Sequence, residues 1–258
     1  MRRKAIIIES ARIQGESYLP GAVVDATNWK AFLKSDLGGN WLDSEIESRS
    51  NPMGVTVRRL IQEAASGDYT FVVFSGHGAE GSVALNDHER RFPIADLMPK
   101  STKGTLILDT CRGSDGGERY SFPSMTSKSA YVALANSESK SVMTAMNESV
   151  HNFSNMQDVI TPRSLWNRYL QKAAIGRAKM QSCAKGQSAG EDPNSGGYYT
   201  SLLMQSAKQW HQSANSMEQH TTHDAHSYAR SNMPNGQRPE YTSSPTSTFR
   251  EFPFAVKV

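Results

Sequence analysis

Phe71-Val72-Val73-Phe74-Ser75-Gly76-His77-Gly78 is an apolar run that stops abruptly at a histidine held between glycines. Thr105-Leu106-Ile107-Leu108-Asp109-Thr110-Cys111-Arg112-Gly113-Ser114 repeats the pattern with a cysteine. Runs of four to eight apolar residues, rich in Val, Ile and Phe and closed by turn residues, read as buried strands. In open parallel sheets the reactive groups gather outside the carboxyl ends of the strands. A base and a thiol meeting there are the minimum apparatus of covalent acyl transfer, because only the thiolate attacks and something must take its proton. Taken singly, Cys111 reads as a small buried hydrophobe and His77 as a hydrogen-bonded loop histidine. The paired strand-end contexts favour the chemical reading.

Outward from these two runs the chain alternates strand and helix. Lys4–Glu9 predicts a buried strand, and Gly15–Gly21 an irregular loop. Asp25–Leu37 predicts a helix with Ala26, Trp29, Phe32, Leu33 and Leu37 on one face, ended by Gly38-Gly39. A short strand is expected near Trp41–Ile46 and a helix over Gly54–Ala65. A hairpin is expected around Asn86-Asp87, and a short helix over Ile94–Met98. The alternation argues for an α/β fold with a mostly parallel sheet covered on both faces. Beyond Cys111, Gly113–Lys128 reads as a mobile polar loop and Ala130–Ala135 as a strand, while Ser137–Val159 has no assignable pattern. Thr161-Pro162 is a helix start, with a cap and a proline at the first position, leading a helix from Arg163 to about Lys179. Gly186–Gly197 is a second loose segment and Tyr199–Gln212 a helix. The Ser/Thr/His-rich tail closes on a strand, Phe249–Val256, expected to pack back on the sheet.

Composition narrows the class. The chain has 258 residues, enough to bury a proper core, and a formal net charge of +3 with no long basic block, which gives no case for nucleic acid. Two cysteines, Cys111 and Cys183, make no disulfide framework and fit a reducing, cytoplasmic setting. The apolar stretch after Met1-Arg2-Arg3-Lys4 ends at Glu9, too short for a signal peptide, and nothing approaches a membrane span.

The two motifs, thirty-four positions apart, resemble the His and Cys motifs of caspase-fold cysteine peptidases. Leu19-Pro20-Gly21-Ala22-Val23-Val24-Asp25-Ala26 is similar to the segment after the first strand of metacaspases, and Ala133–Glu138 to their next strand and its outgoing loop. Gly197–Leu203 resembles the helix start of the small-subunit region, and the Gly236-Gln237-Arg238-Pro239 turn before the last strand is similar to many bacterial caspase-like proteins, so the likeness runs over nearly the whole chain. It implies one caspase-like domain over 1–258: a large-subunit-like part, 1–112, a linker-like loop, 113–128, and a small-subunit-like part, 129–258. It further implies that Cys111 attacks the scissile carbonyl, that His77 moves the protons, and that the N–H groups of Gly78 and Cys111 hold the oxyanion. True caspases carry glutamine two residues before the nucleophile and read aspartate; here that residue is Asp109. In metacaspases and paracaspases an aspartate at that position, a serine two before the histidine and an early-loop aspartate make an acidic S1 pocket. These map onto Asp109, Ser75 and Asp25. Buried carboxylates want a cation, and a guanidinium pairs best, so the expected substrates are proteins cut after Arg or Lys. Asp25 has a competing reading as the N-cap of its helix.

The resemblance also suggests a regulated bacterial defence or cell-death protease, with a gasdermin-like pore former as one partner and an activating partner, an ion or self-cleavage as trigger. Arg119 and Lys128 are the self-processing candidates. Calcium is a candidate activator: Asp87, Glu89, Asp96, Asp115 and Glu118 supply carboxylates, but their spacing matches no calcium loop. His220, His223 and His226 read as a solvated segment rather than a metal site, and Cys183 as a bystander thiol in a polar loop. The competing class is a caspase-fold scaffold that acts by binding protein.

Overall fold

The computed structural model describes residues 1–113, 120–121, 159–234, 236–244 and 252–258, with residues 120–121 by backbone alone. In chain order the elements are β1 (Arg3–Ser10), α1 (Pro20–Lys34), β2 (Ile46–Ser50), α2 (Gly54–Ala64), β3 (Tyr69–Gly76), β4 (Gly78–Ala79), β5 (Ser82–Val83), β6 (Phe92–Pro93) and β7 (Lys103–Asp109). After β8 (Tyr120–Ser121) come α3 (Pro162–Lys172), β9 (Gly176–Gln181), β10 (Gly190–Asp192), β11 (Gly196–Gly197), α4 (Tyr198–Ser213), β12 (Glu218–Thr221), α5 (Thr222–Asn232), β13 (Glu240–Ser244) and β14 (Pro253–Lys257). The main sheet has the order β13-β9-β7-β3-β1-β2. Every neighbouring pair in it is parallel except β13 with β9.

The strands are apolar without interruption because both faces are covered. Successive side chains point to opposite faces, so the register sorts them into rows. Ile6, Val72 and Leu106 align across β1, β3 and β7 and pack with Val57, Leu60 and Ile61 of α2. Ile7, Val73, Ile107 and Met180 form the opposite row, covered by α1, α3, α4 and α5. On that side Phe254 of β14 wedges under α1, with its ring centroid 6.0 Å from Trp29 and 5.0 Å from Phe32. Each such fully buried side chain contributes about 1.5–3 kcal/mol.

Several expectations are corrected. α1 begins at Pro20, not Asp25, because the proline's fixed φ starts the helix directly behind Leu19. The segment near Trp41 is a single 3-10 turn, Asp43–Glu45, and the strand is β2 after it, paired with β1. The helix from Thr161-Pro162 is present with its cap, Thr161 Oγ1 accepting from Ser164 N at 3.1 Å, but it ends at Lys172. The residues beyond it form β9, in which Ala178 and Met180 are buried while Arg177 and Lys179 are not. The tail strand does pack back on the sheet, through its side chains: Phe252, Phe254, Ala255 and Val256 join the core that covers Ile7, Val73 and Ile107, while among the described residues the backbone of β14 pairs with β12. The expected strand Ala130–Ala135, the unassigned stretch up to 158 and most of the Gly113–Lys128 loop lie outside the described residues. The Asn86-Asp87 turn is found between β5 and β6, with Asn86 Oδ1 accepting from the His88 and Glu89 N–H groups at 2.9 and 3.1 Å.

Candidate active site

β3 and β7 are parallel neighbours, with Ser75 opposite Asp109. His77 and Cys111 each follow two residues later, so both emerge at the same end of adjacent strands. The two exit loops touch. Glu80 N–H donates to Gly113 O at 3.4 Å, and a Cβ at Gly78 would collide with the Thr110 hydroxyl and stand 3.2 Å from Cys111 O. Glycine is required there by that close approach. His77 is buried, and its Nε2 lies 2.8 Å from Ser17 O. A carbonyl only accepts, so Nε2 carries the hydrogen and the lone pair of the neutral ring sits on Nδ1.

Cys111 is 1% exposed. Its Sγ accepts the Ala189 N–H at 3.3 Å. The residues on either side are fixed: Thr110 N–H donates to Ser182 Oγ at 3.1 Å, and Arg112 N–H to Gln187 O at 2.8 Å. The Arg112 side chain donates to Cys183 O at 3.0 Å and pairs with Glu240. The segment 182–190 is therefore zipped onto the nucleophile loop. Cys183 lies in that segment and is wholly buried, rather than exposed in a polar loop. Its thiol is 3.3 Å from Thr110 O and 3.4 Å from Gln187 O. Burial, followed by the neighbouring Cys111 and Asp109, pushes its pKa up to about 12.

On the α1 side of the same strand ends lie the acidic residues. Asp25 is not a cap; it sits within α1, fully buried, accepting from Ser75 Oγ at 2.6 Å and from Gly197 N–H at 2.9 Å. Asp109 accepts the Thr200 N–H at 3.1 Å and its hydroxyl at 2.9 Å, in the first turn of α4, where backbone N–H groups point outward to meet an acceptor. The glycine pair of β11 passes between the two carboxylates. A Cβ on Gly196 would strike Asp25 and one on Gly197 would strike Asp109. The structure thus brings Asp25, Ser75 and Asp109 together. It adds Glu191 of β10, which is buried against Gly21, one helical turn before Asp25. Sequence reading passed over Glu191 because it lies in an aperiodic polar stretch. It passed over Ser17 because the contact is made by a backbone carbonyl.

A family model described as caspase domain matches residues 2–250. The chain belongs to the caspase-domain peptidase family. Its fold is similar to that of caspase-1 from Spodoptera frugiperda, with a TM-score of 0.58 at 14% identity, covering 99% of this chain and 90% of that one. No curated protein sequence matches it.

In this caspase-domain chain the calcium candidates that are described serve other partners. Asp87 accepts from Gln14 N–H at 2.6 Å, Glu89 takes the Gly54 N–H at the start of α2, and Asp96 pairs with Arg58 at 2.8 Å. Among the described residues no group of three or more His, Cys, Asp or Glu is arranged to hold a metal. Asp115, Glu118, Arg119 and Lys128 lie outside them. Of His220, His223 and His226, expected as a solvated segment, only His223 is exposed. β12 and α5 form there, His220 and His226 are buried, and they bond to Ser206 Oγ at 3.2 Å and Tyr199 OH at 2.7 Å respectively. Among the described residues no helix is long and apolar enough to cross a membrane.

Proposed function

We propose that this chain is a cysteine endopeptidase that cleaves proteins after Arg, and less readily after Lys. The observation that carries this reading is the Ser75–Asp109 register, which sets the His77 and Cys111 exits side by side with buried carboxylates next to them. In the mechanism, His77 Nδ1 takes the thiol proton and Cys111 Sγ bonds to the scissile carbonyl carbon. The oxyanion rests on the N–H groups of Gly78 and Cys111. The imidazolium, steadied by the Ser17 carbonyl, returns the proton to the leaving amine, and water then releases the acyl group by the reverse path. Asp25 accepts from Ser75 and Gly197 and Asp109 from Thr200, and buried carboxylates of this kind are the natural partners of a guanidinium.

One observation favours the binding-only alternative: Cys111 is covered by Ala189. A peptide bearing a P1 arginine and a thiol-directed electrophile separates the readings. The peptidase reading expects covalent labelling that disappears in Cys111→Ala; absence of labelling while a P1-alanine analogue reacts equally well with both proteins would overturn it.

The same reading extends to self-processing after Arg119. β8 begins at the next residue and pairs with β10, Tyr120 beside Gly190 and Ser121 beside Glu191, directly after Ala189. Intact-mass measurement of the active protein should show a cut at Arg119-Tyr120 that Cys111→Ala lacks; an uncut chain with full activity removes this part of the reading.

A further inference from the structure

We propose that Cys111 and Cys183 form a reversible intramolecular disulfide when the protein meets a peroxide, and that this bond switches the site off. The switching, unlike the bond, rests on Cys111 being the peptidase nucleophile.

The chain has only two cysteines, and the fold brings them together. Cys111, Cys183 and Ala189 form a small buried cluster of their own, apart from both main cores. The β7–β9 register ends at Leu108 opposite Gln181 but continues in hydrogen bonds: Ser182 N–H donates to Leu108 O at 2.9 Å, and the Cys183 thiol to Thr110 O at 3.3 Å. Cys183 therefore stands opposite Thr110, staggered by one residue from Cys111. Both cysteines lie beyond the last ladder pair, where the alternation of a strand no longer sets which way each side chain points, and the cluster they share with Ala189 packs them together. A disulfide needs Cα atoms about 4.4–6.8 Å apart with the Cβ atoms facing one another, so the adjustment it requires falls on these two loops rather than on the sheet.

The chemistry has an order. Cys111 leaves β7 next to the β3 exit that carries His77, so on the proposed reading it is the sulfur that becomes thiolate and attacks the peroxide. Its S–O bond forms, the O–O bond breaks, and hydroxide leaves and takes up the thiol's proton as water. Cys183 gives up its proton to the departing sulfenic oxygen as its sulfur attacks the sulfenic sulfur. The S–S bond forms, the S–O bond breaks, and the sulfenic oxygen leaves as water with the Cys183 proton. Both sulfurs are oxidised and the peroxide is reduced. A thiol reductant reverses the result. The segment 182–190 must lift from Cys111 for any peptide to enter, and a peroxide molecule is smaller than a peptide. Closing the disulfide would pin that segment down as well as consume the nucleophile.

The test is hydrogen peroxide titration of the whole protein, read by intact mass and by thiol alkylation, with peptide hydrolysis followed in parallel. The expected product has lost two hydrogens and both alkylatable thiols, and dithiothreitol restores both thiols and hydrolysis fully. In Cys183→Ser, and in Cys183→Ala should the serine variant fold poorly, Cys111 should instead gain oxygen up to the sulfinic and sulfonic acids, with most hydrolysis lost beyond rescue. The proposal is overturned if the wild type gains oxygen on Cys111 while Cys183 stays alkylatable. Mass and alkylation report the bond whether or not the reduced protein hydrolyses peptides, so the failure of the peptidase reading is visible separately.

Discussion

Replacing Cys111 with alanine removes one sulfur from a site whose neighbours are otherwise tied to one another, so the fold should survive and peptide hydrolysis should vanish. His77→Ala should lose a similar factor, because the pair acts as a unit. Retained hydrolysis in Cys111→Ala would break the assignment. Asp109 separates charge from structure. Asp109→Ala strands the Thr200 N–H and hydroxyl, at about 1–3 kcal/mol of stability. Asp109→Asn keeps an oxygen acceptor and should retain most stability while losing cleavage after Arg by about 3–5 kcal/mol in kcat/KM, the range for breaking a buried charge pair. Equal kcat/KM for Asn and Asp at this position would make Asp109 a structural acceptor only. At this scale the sequence made the placement legible wherever a polar residue closed an apolar run: His77, Cys111 and Asp109 all stand where β3 and β7 end. It was silent on Ser17, which acts through a carbonyl. It misled on Cys183, whose polar neighbours hide that the sheet's register carries past Gln181 and buries the thiol.

The elements were legible where both faces of a strand are apolar, as in β1, β3 and β7, and where a cap was written out, as at Thr161-Pro162. They were illegible where the tertiary partner decides. Gly176–Gln181 holds Ala, Met, Lys and Arg, all good helix formers, yet it extends because β7 offers an open parallel edge. Two elements are joined by one ionic knot. Arg3 of β1 is fully buried, lies over the Trp41 ring at 4.3 Å, and reaches Glu45 at 3.4 Å; Arg163 of α3 meets the same carboxylate at 2.6 Å. Burial above all pulls the Arg3 pKa down to about 10, against the pull of Glu45 in the other direction. Glu45→Ala leaves that charge uncompensated and should destabilise the protein by about 3–5 kcal/mol in urea unfolding. Thr161→Ala, which removes only the α3 cap, should lose about 1 kcal/mol. If the two variants prove equal, the knot contributes no more than a surface pair.

For the molecule as a whole, the histidine-rich segment was the largest misreading. Its polar letters suggested solvent, but Thr221 caps α5 and turns His220 and His226 inward. Burial is the main cause holding both near pKa 4 against an ordinary 6.5; Asp224 opposes it at His220, and Arg230 and His223 add to it at His226. The folded values lie below the unfolded ones, so the unfolded chain binds protons first as the pH falls. Stability is then complete above about pH 6.5 and declines towards pH 4, by up to roughly 3 kcal/mol per histidine. The urea midpoint should drop between pH 7 and pH 5, and His226→Gln should remove about half of the drop. A midpoint flat over that range would contradict the burial of both rings.

The β7–β9 ladder has one further consequence. Residues 1–113 contribute β1, β2, β3 and β7 to the main sheet, and residues 159–258 contribute β9, β13 and the three helices that cover one face with α1. The two portions interlock through six consecutive residue pairs of that ladder and through Phe254 seated under α1. Severing the backbone anywhere between 122 and 158 therefore leaves a two-piece molecule that holds together without a peptide bond. Segments 1–128 and 129–258, produced as separate polypeptides in one cell, should reassemble and copurify, with His77 supplied by one piece and the segment that covers Cys111 by the other.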